Sequence, residues 1–269
     1  MGEELGSTRV GGSVMTAALE VVGLSVRFGG LTALDDVSFT VRDDEVVGVI
    51  GPNGAGKTTL FNCICGFVAP DGGAIRWQGE ALHGVRPQHL TRRGIARTLQ
   101  GLGLFEGLTA IENVMAGAEL HARAGLAGAL LGLPQSDRDE RALRARAQEA
   151  LDDLGVGDVA DRRPDALPYP VRKRVALARA LVARPRLLLL DEPAGGLGPE
   201  DLDDLSALIG RLRGEMAVVL VEHHMDLVMS VCDRVVVLDF GRRIAEGTPA
   251  EVQADPQVLD AYLGVVADA

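Results

Sequence analysis

The chain has 269 residues, 47% of them hydrophobic but only 3% aromatic, so its core must come mostly from Leu, Val, Ile and Ala. That length suits one large α/β domain or two small ones. A formal net charge of -11 argues against a nucleic-acid binder, which presents a basic field, and against broad electrostatic docking on an anionic membrane surface.

Residues 1–14 are acidic and glycine-rich, with no basic leader segment. They read as an unstructured tail without a signal peptide, and Met15 is a candidate start. Leu19–Phe28 alternates apolar and polar residues, as a half-buried strand does, and Leu34–Val41 reads likewise. After an Asp-Asp turn at 43–44, the apolar run Val46–Ile50 reads as a buried parallel strand. It leads into Gly51-Pro52-Asn53-Gly54-Ala55-Gly56-Lys57-Thr58, which meets the pattern G-x-x-x-x-G-K-[ST] at every fixed position. A helix over Lys57–Phe67 follows, so the strand–loop–helix context of a P-loop is present. In such a loop the backbone N–H groups and the helix N-terminus face phosphates, and the Thr58 hydroxyl serves Mg2+. Lys57 is one of only two lysines in a chain that otherwise uses arginine. A compact ammonium reaching between two phosphates does what a planar guanidinium cannot. The loop therefore points to a nucleoside triphosphate.

Cys63 and Cys65 lie two apart on the predicted helix and point to different faces. With Cys232 they form an odd, sparse set that reads as reduced, cytosolic thiols. Pro70-Asp71-Gly72-Gly73 reads as a turn and Ala74–Gln78 as a short strand. From about Gln88 to Leu167 helical signals dominate. Asp137–Leu154 has apolar residues at helical spacing among Arg and Glu, an amphipathic helix with its arginines on a solvated face. Strand runs return at Leu187–Leu190, Ala217–Val221 and Arg234–Leu238, with helical segments between. This reads as an α/β core with a parallel sheet and an inserted helical block. No apolar run approaches the roughly 20 residues of a membrane span.

Leu187-Leu188-Leu189-Leu190-Asp191-Glu192 brings two acids to the carboxyl end of a buried strand, where the ligand crevice of a parallel sheet lies. Asp191 is expected to hold Mg2+ through water, and Glu192 to orient or deprotonate the attacking water.

Along nearly its whole length the chain resembles the nucleotide-binding subunit of ABC transporters. Arg27-Phe28-Gly29-Gly30-Leu31 is similar to the adenine-stacking segment, with Phe28 the stacker. Gly94-Ile95-Ala96-Arg97-Thr98-Leu99-Gln100 is similar to the Q-loop, which implies that Gln100 reaches Mg2+ and the lytic water. Val221-Glu222-His223-His224-Met225 resembles the switch-histidine strand, which implies a γ-phosphate contact for His223 and none for His224. The resemblance thus implies ATP and Mg2+ as cofactors. ATP is expected on Phe28, Gly51, Pro52, Asn53, Gly54, Ala55, Gly56, Lys57, Thr58 and Thr59, the metal on Thr58, Gln100 and Asp191, and catalysis from Glu192, His223 and Gln100.

The implied fold is a P-loop NTPase core of mainly parallel sheet with an N-terminal antiparallel β portion and an inserted α-helical subdomain. Its expected divisions are a disordered tail 1–14, core with P-loop 15–101, helical subdomain 102–170, core with Walker B and switch histidine 171–245, and a C-terminal helical extension 246–269.

Arg97-Thr98-Leu99-Gln100, Leu104-Phe105, Leu108-Thr109 with Glu112-Asn113-Val114, Ala245-Glu246-Gly247-Thr248-Pro249 and Ala261-Tyr262-Leu263-Gly264 are similar to the cassettes of branched-chain amino-acid importers. This implies an ATPase peripheral to the cytoplasmic side of the cell membrane. Its partners would be a second ATP-binding cassette, two integral membrane permeases and, indirectly, a solute-binding protein, with no nucleic acid. Solute contacts would belong to the permeases and the binding protein, not to this chain.

The sequence departs from the family at Leu167-Pro168-Tyr169-Pro170-Val171, where the signature is typically Leu-Ser-Gly-Gly-Gln. Pro168 stands for the serine and Pro170 for the second glycine, which removes a hydroxyl and a backbone N–H. Hydrogen bonds to charged phosphate oxygens contribute roughly 1.5–3 kcal/mol each. The site clamped by this segment is therefore expected to be slowed or weakened at least about tenfold. Gly198 stands where the family has Asp or Asn. The expectation is an asymmetric heterodimer in which Lys57, Glu192 and His223 meet an intact signature from another cassette. The alternative is a regulatory subunit of low turnover in such a pair.

Overall fold

The computed structural model describes residues 17–82, 84–98, 102–118 and 134–267. The expected tail with Met15, and Leu99 and Gln100, lie outside the described residues.

The chain opens with β1 (Ala17–Phe28) and β2 (Leu31–Arg42), a long antiparallel pair. β3 (Val46–Ile50) then runs to the glycine loop and α1 (Lys57–Ile64). α1 is three residues shorter than the predicted Lys57–Phe67. Its end is a Schellman turn: Gly66 lies at φ +72°, its N–H donates to Cys63 O, and the Phe67 N–H reaches back 2.8 Å to Asn62 O. A Cβ at Gly66 would stand 2.1 Å from Val85 O, so glycine is required there.

β4 (Gly72–Trp77) starts two residues before the predicted strand, and β5 (Glu80–Ala81) completes a four-stranded antiparallel sheet of order β2-β1-β4-β5. β6 (Ile95–Arg97) joins the second sheet. α2 (Ala110–Gly117) starts from a capping box in which Thr109 Oγ1 accepts from the Glu112 N–H and Glu112 accepts from the Thr109 N–H. Buried Asn113 accepts from the Phe105 N–H and donates to Phe105 O, Leu108 O and Thr109 O, shaping the loop before α2.

α3 (Pro134–Asp153) covers most of the predicted amphipathic helix, and α4 (Tyr169–Leu181) starts within the segment 167–171. β7 (Leu187–Asp191), α5 (Pro199–Leu212), β8 (Ala217–Val221), α6 (Met225–Val231) and β9 (Arg234–Asp239) then alternate. β10 (Arg242–Gly247), α7 (Pro249–Ala254) and α8 (Pro256–Ala267) close the chain. Two of the expected divisions fall inside elements: residue 170 lies in α4 and residue 245 in β10. β10 is polar and partly exposed, an edge strand with little hydrophobic pattern to read.

The second sheet has the order β10-β9-β3-β8-β7-β6, parallel except for the β10–β9 hairpin. β3, β7 and β8 are buried at every position. Alternate residues serve two different cores. Val47, Val49, Leu187, Leu189 and Val219 pack with α1 and the antiparallel sheet, while Val46, Ile50, Leu188, Leu190, Val218 and Leu220 pack with the helices of the other face. Two-faced burial explains why these strands read as unbroken apolar runs.

Candidate functional site

The strand order sets the site. β3, β8 and β7 are neighbours and parallel, so their carboxyl ends lie in a row. The glycine loop leaves β3, His223 follows β8, Asp191 ends β7 and Glu192 comes directly after it. β6 runs beside β7 in the same direction, so the segment leading to Gln100 emerges at the same edge.

The glycine loop is held from behind. Gly51 lies against the end of β9, where a Cβ would stand 2.0 Å from Leu238 O. Gly56 caps α1 at φ +100°, and its Cβ would stand 2.5 Å from Ala33 O. Gly54, at φ +83°, has nothing within 4 Å of the corresponding position, so the loop is open on that side. Asn53 and Thr58 are exposed, Thr58 in the first turn of α1. Lys57 Nζ donates to Gly51 O at 2.7 Å and Pro52 O at 2.8 Å. Burial lowers the Lys57 pKa, and the charge of Glu192 opposes that shift. The Glu192 carboxylate thus acts on the Lys57 ammonium through its charge.

Phe28 ends β1 and pairs with Leu31 across the hairpin turn. It is 51% exposed, so its ring is not a core residue. The same β2 strand that pairs with it backs Gly56 through Ala33.

Asp191 is buried, and Arg97 Nη2 donates to its Oδ2 at 2.6 Å. Arg97 Nη1 donates to Asn62 Oδ1 at 2.9 Å, and the Asp191 N–H donates to Thr98 Oγ1. The guanidinium also lies 5.7 Å from the Phe61 ring and 5.8 Å from the Phe67 ring. Burial alone would lower the Arg97 pKa, but Asp191 and Cys65 together raise it above its ordinary value. Nothing in the residue order singles out Arg97 as the companion of Asp191, since the two lie 94 residues apart.

Glu192 sits at φ +48°, in the left-handed region that a residue with a Cβ rarely occupies. Its N–H continues the ladder to Val221 O at 2.9 Å. Glu222, fully buried, accepts from three backbone N–H groups: Ala194 at 2.7 Å, His223 at 2.7 Å and His224 at 3.0 Å. Glu222, His223 and His224 place ligand atoms within 4.8 Å of one another, but the carboxylate is already spent on these amides. The His223 side chain is 57% exposed, and its ring lies 4.7 Å from that of His224. Glu222 has a sequence signal in its position before the histidines, though not one that reveals its partners.

At the signature, Leu167 is buried and Pro168 occupies the N-cap position of α4. Pro170 falls in the first turn, where its missing N–H costs the helix nothing. The Arg172 N–H is taken by Pro168 O at 3.0 Å. Tyr169 lies against Gly196, with its hydroxyl 3.4 Å from Gly195 O, and Val171 is half-buried. Gly198 is the N-cap of α5 and offers no side-chain cap. α4, the end of β7 and α5 enclose a cleft of about 400 Å³ that Thr98, Tyr169, Lys173, Asp191 and Glu192 help to line.

The three cysteines are buried and free. Burial pushes the Cys63 thiol up to about 11 and the Cys232 thiol to about 12. No helix among the described residues is long and apolar enough to cross a membrane.

Comparison with known proteins gives consistent matches. The family described as ABC transporter matches residues 34–195, and the one described as branched-chain amino acid ATP-binding cassette transporter matches residues 242–268. The chain is 44% identical over 248 residues to the high-affinity branched-chain amino acid transport ATP-binding protein BraF of Pseudomonas aeruginosa, covering 91% of this chain and 97% of BraF. It is 42% identical, with the same coverage, to LivG of Salmonella typhimurium, which has the same description. Among solved structures, the ADP conformation of an ATP-binding cassette of an ABC transporter superposes with a TM-score of 0.80 at 30% identity, covering 93% of this chain and 99% of that one.

Proposed function

The chain belongs to the ABC transporter family, as one of its ATP-binding cassettes, and from that premise we propose that it drives import of branched-chain or related amino acids by hydrolysing ATP on the cytoplasmic side of the cell membrane. The observation that carries the chemistry is the row of strand ends. It supports the reading by setting the glycine loop with Lys57, the Asp191–Glu192 pair and His223 at or just beyond the carboxyl ends of three adjacent parallel strands.

ATP lies with its adenine on Phe28 and its phosphates along Gly51–Thr59, where the open side of Gly54 and the α1 N-terminus receive them. Lys57 leaves the carbonyls of Gly51 and Pro52 for the phosphate oxygens. Glu192 orients or takes a proton from the attacking water, and His223 contacts the γ-phosphate. Thr58, Asp191 and Gln100 offer the oxygen atoms that Mg2+ prefers and would hold the ion, which would supply positive charge to the phosphates.

We assign the partner as a different cassette, with two permeases beneath the pair and a solute-binding protein delivering to them. Pro168 and Pro170 support this, because α4 retains only the Tyr169 and Val171 N–H groups in its first turn for a partner's phosphates. The same prolines favour one second reading, a low-turnover regulatory member of the pair. Glu192→Gln separates the two in the assembled transporter. Loss of both hydrolysis and uptake with ATP binding retained supports the motor, while undiminished uptake supports the regulatory subunit.

A further inference from the structure

The chain contains two lysines, and both do the same thing. Lys57 spans the carbonyls of Gly51 and Pro52. Lys173, in the second turn of α4, donates to Pro193 O at 2.6 Å and to Glu192 O at 3.4 Å. Each compact ammonium thus ties down two successive carbonyls of a loop at the nucleotide site, a fit that a planar fork does not make. Burial lowers the Lys173 pKa, and the charges of Glu222 and Glu192 oppose the shift. The Tyr169 ring closes the other side, 5.5 Å from the ammonium.

The segment that Lys173 grips is the one that needs gripping. Glu192 lies in a left-handed conformation at φ +48°, a costly state that persists only when its surroundings enforce it. Four contacts do so here. Val221 O takes the Glu192 N–H, the Gly195 N–H returns to Glu192 O, Lys173 takes the Glu192 and Pro193 carbonyls, and Glu222 takes the Ala194 N–H. Glu222 also holds the His223 N–H, so the switch histidine and the acid loop share one buried carboxylate.

We propose that Lys173 and Glu222 are a pair of positioning residues that clamp residues 192–194, one through two carbonyls and the other through an N–H, and so make the aim of Glu192 and His223 depend on the position of the signature helix α4. The proposal rests on the hydrolytic role assigned above. It gives α4 a route to its own catalytic carboxylate that does not use the acid missing at Gly198. When a partner's nucleotide draws on the α4 N-terminus, Lys173 moves with the helix, and the Glu192 carbonyl moves with Lys173.

The test uses the full chain assembled with its partner cassette, and variants Lys173→Met, Glu222→Gln and the double variant. ATP affinity is measured at equilibrium, and kcat and KM are measured with varied Mg-ATP. Each single variant is expected to lower kcat about tenfold or more, the size seen when a reacting group is slightly misplaced, with ATP affinity unchanged. The double variant is expected to be no slower than the slower single, because either loss releases the same loop. Multiplying losses, or an unchanged kcat in both singles, would overturn the clamp. Should Glu222→Gln not fold, Lys173→Met decides alone, since that side chain borders the open cleft. A wild-type assembly that does not hydrolyse ATP would refute the hydrolytic role itself, and the clamp with it. Hydrolysis by wild type with normal kcat in both variants removes only the clamp.

Discussion

Arg97 Nη2 stands 2.6 Å from Asp191 Oδ2, and the two side chains are 12% and 3% exposed. The acid expected to serve the metal is therefore buried against a fixed positive charge. The same guanidinium reaches Asn62 on α1, tying the end of β7 to the helix that starts at Lys57. Removing one member of a buried pair leaves the other uncompensated, a loss of about 3–5 kcal/mol. Arg97→Gln is expected to lower stability by that amount in urea unfolding of the purified chain. A change below about 1 kcal/mol, the range of an exposed pair, would show that Asp191 does not depend on Arg97.

Lys57→Arg tests whether charge or shape matters at the glycine loop. Arginine keeps the charge but cannot place one compact donor group on the carbonyls of Gly51 and Pro52 or between two phosphates. ATP affinity is expected to fall at least about tenfold, about 1.4 kcal/mol, by titration calorimetry. Wild-type affinity in this variant would mean that any cation suffices.

Pro170→Gly restores an N–H in the first turn of α4. If the prolines limit the chain as its own partner, hydrolysis by the purified chain alone should rise at least about tenfold. An unchanged rate, or rapid hydrolysis by the unaltered chain, would remove the argument for a different partner cassette.

Glu45 predicts a pH dependence of stability. Burial pushes its carboxyl up, but the Arg234 side chain and the Arg42 N–H outweigh this and leave its pKa below 4.5. The folded state thus binds this proton less readily than the unfolded chain. Its stabilising contribution is complete above the unfolded value and is lost as the pH falls through the lower folded value. Glu45→Gln should destabilise the protein near neutral pH, with a penalty that shrinks progressively below the ordinary carboxylate value of 4.5. Denaturant unfolding at several pH values reads this directly, and a penalty independent of pH would contradict it.

Much of the architecture was legible because two-faced burial writes itself as contiguous apolar runs. Val46–Ile50, Leu187–Leu190 and Ala217–Val221 are predicted and observed as strands of one parallel sheet. The helix after the glycine loop was legible in its start and not in its end: the apolar pattern runs on to Phe67, while the helix stops at Ile64 in the turn at Gly66, a glycine that the close approach of Val85 O requires. β10 escaped notice because an edge strand needs no apolar face.

By itself the sequence determined the chemistry carried by adjacent residues: the glycine loop with Lys57, the two acids after four leucines, and the break in the signature at Pro168 and Pro170. Such motifs are local, since backbone conformation and side-chain type act over a few residues. The tertiary structure alone decided which groups restrain them. Arg97 meets Asp191 across 94 residues, Glu222 meets Ala194 across 28, and Lys173 meets Pro193 across 20. Those meetings follow from the order β3-β8-β7-β6 and from the packing of α4 beside β7. A hydrogen bond between distant residues exists only where the whole core has fixed both partners, and no local pattern of residues records it.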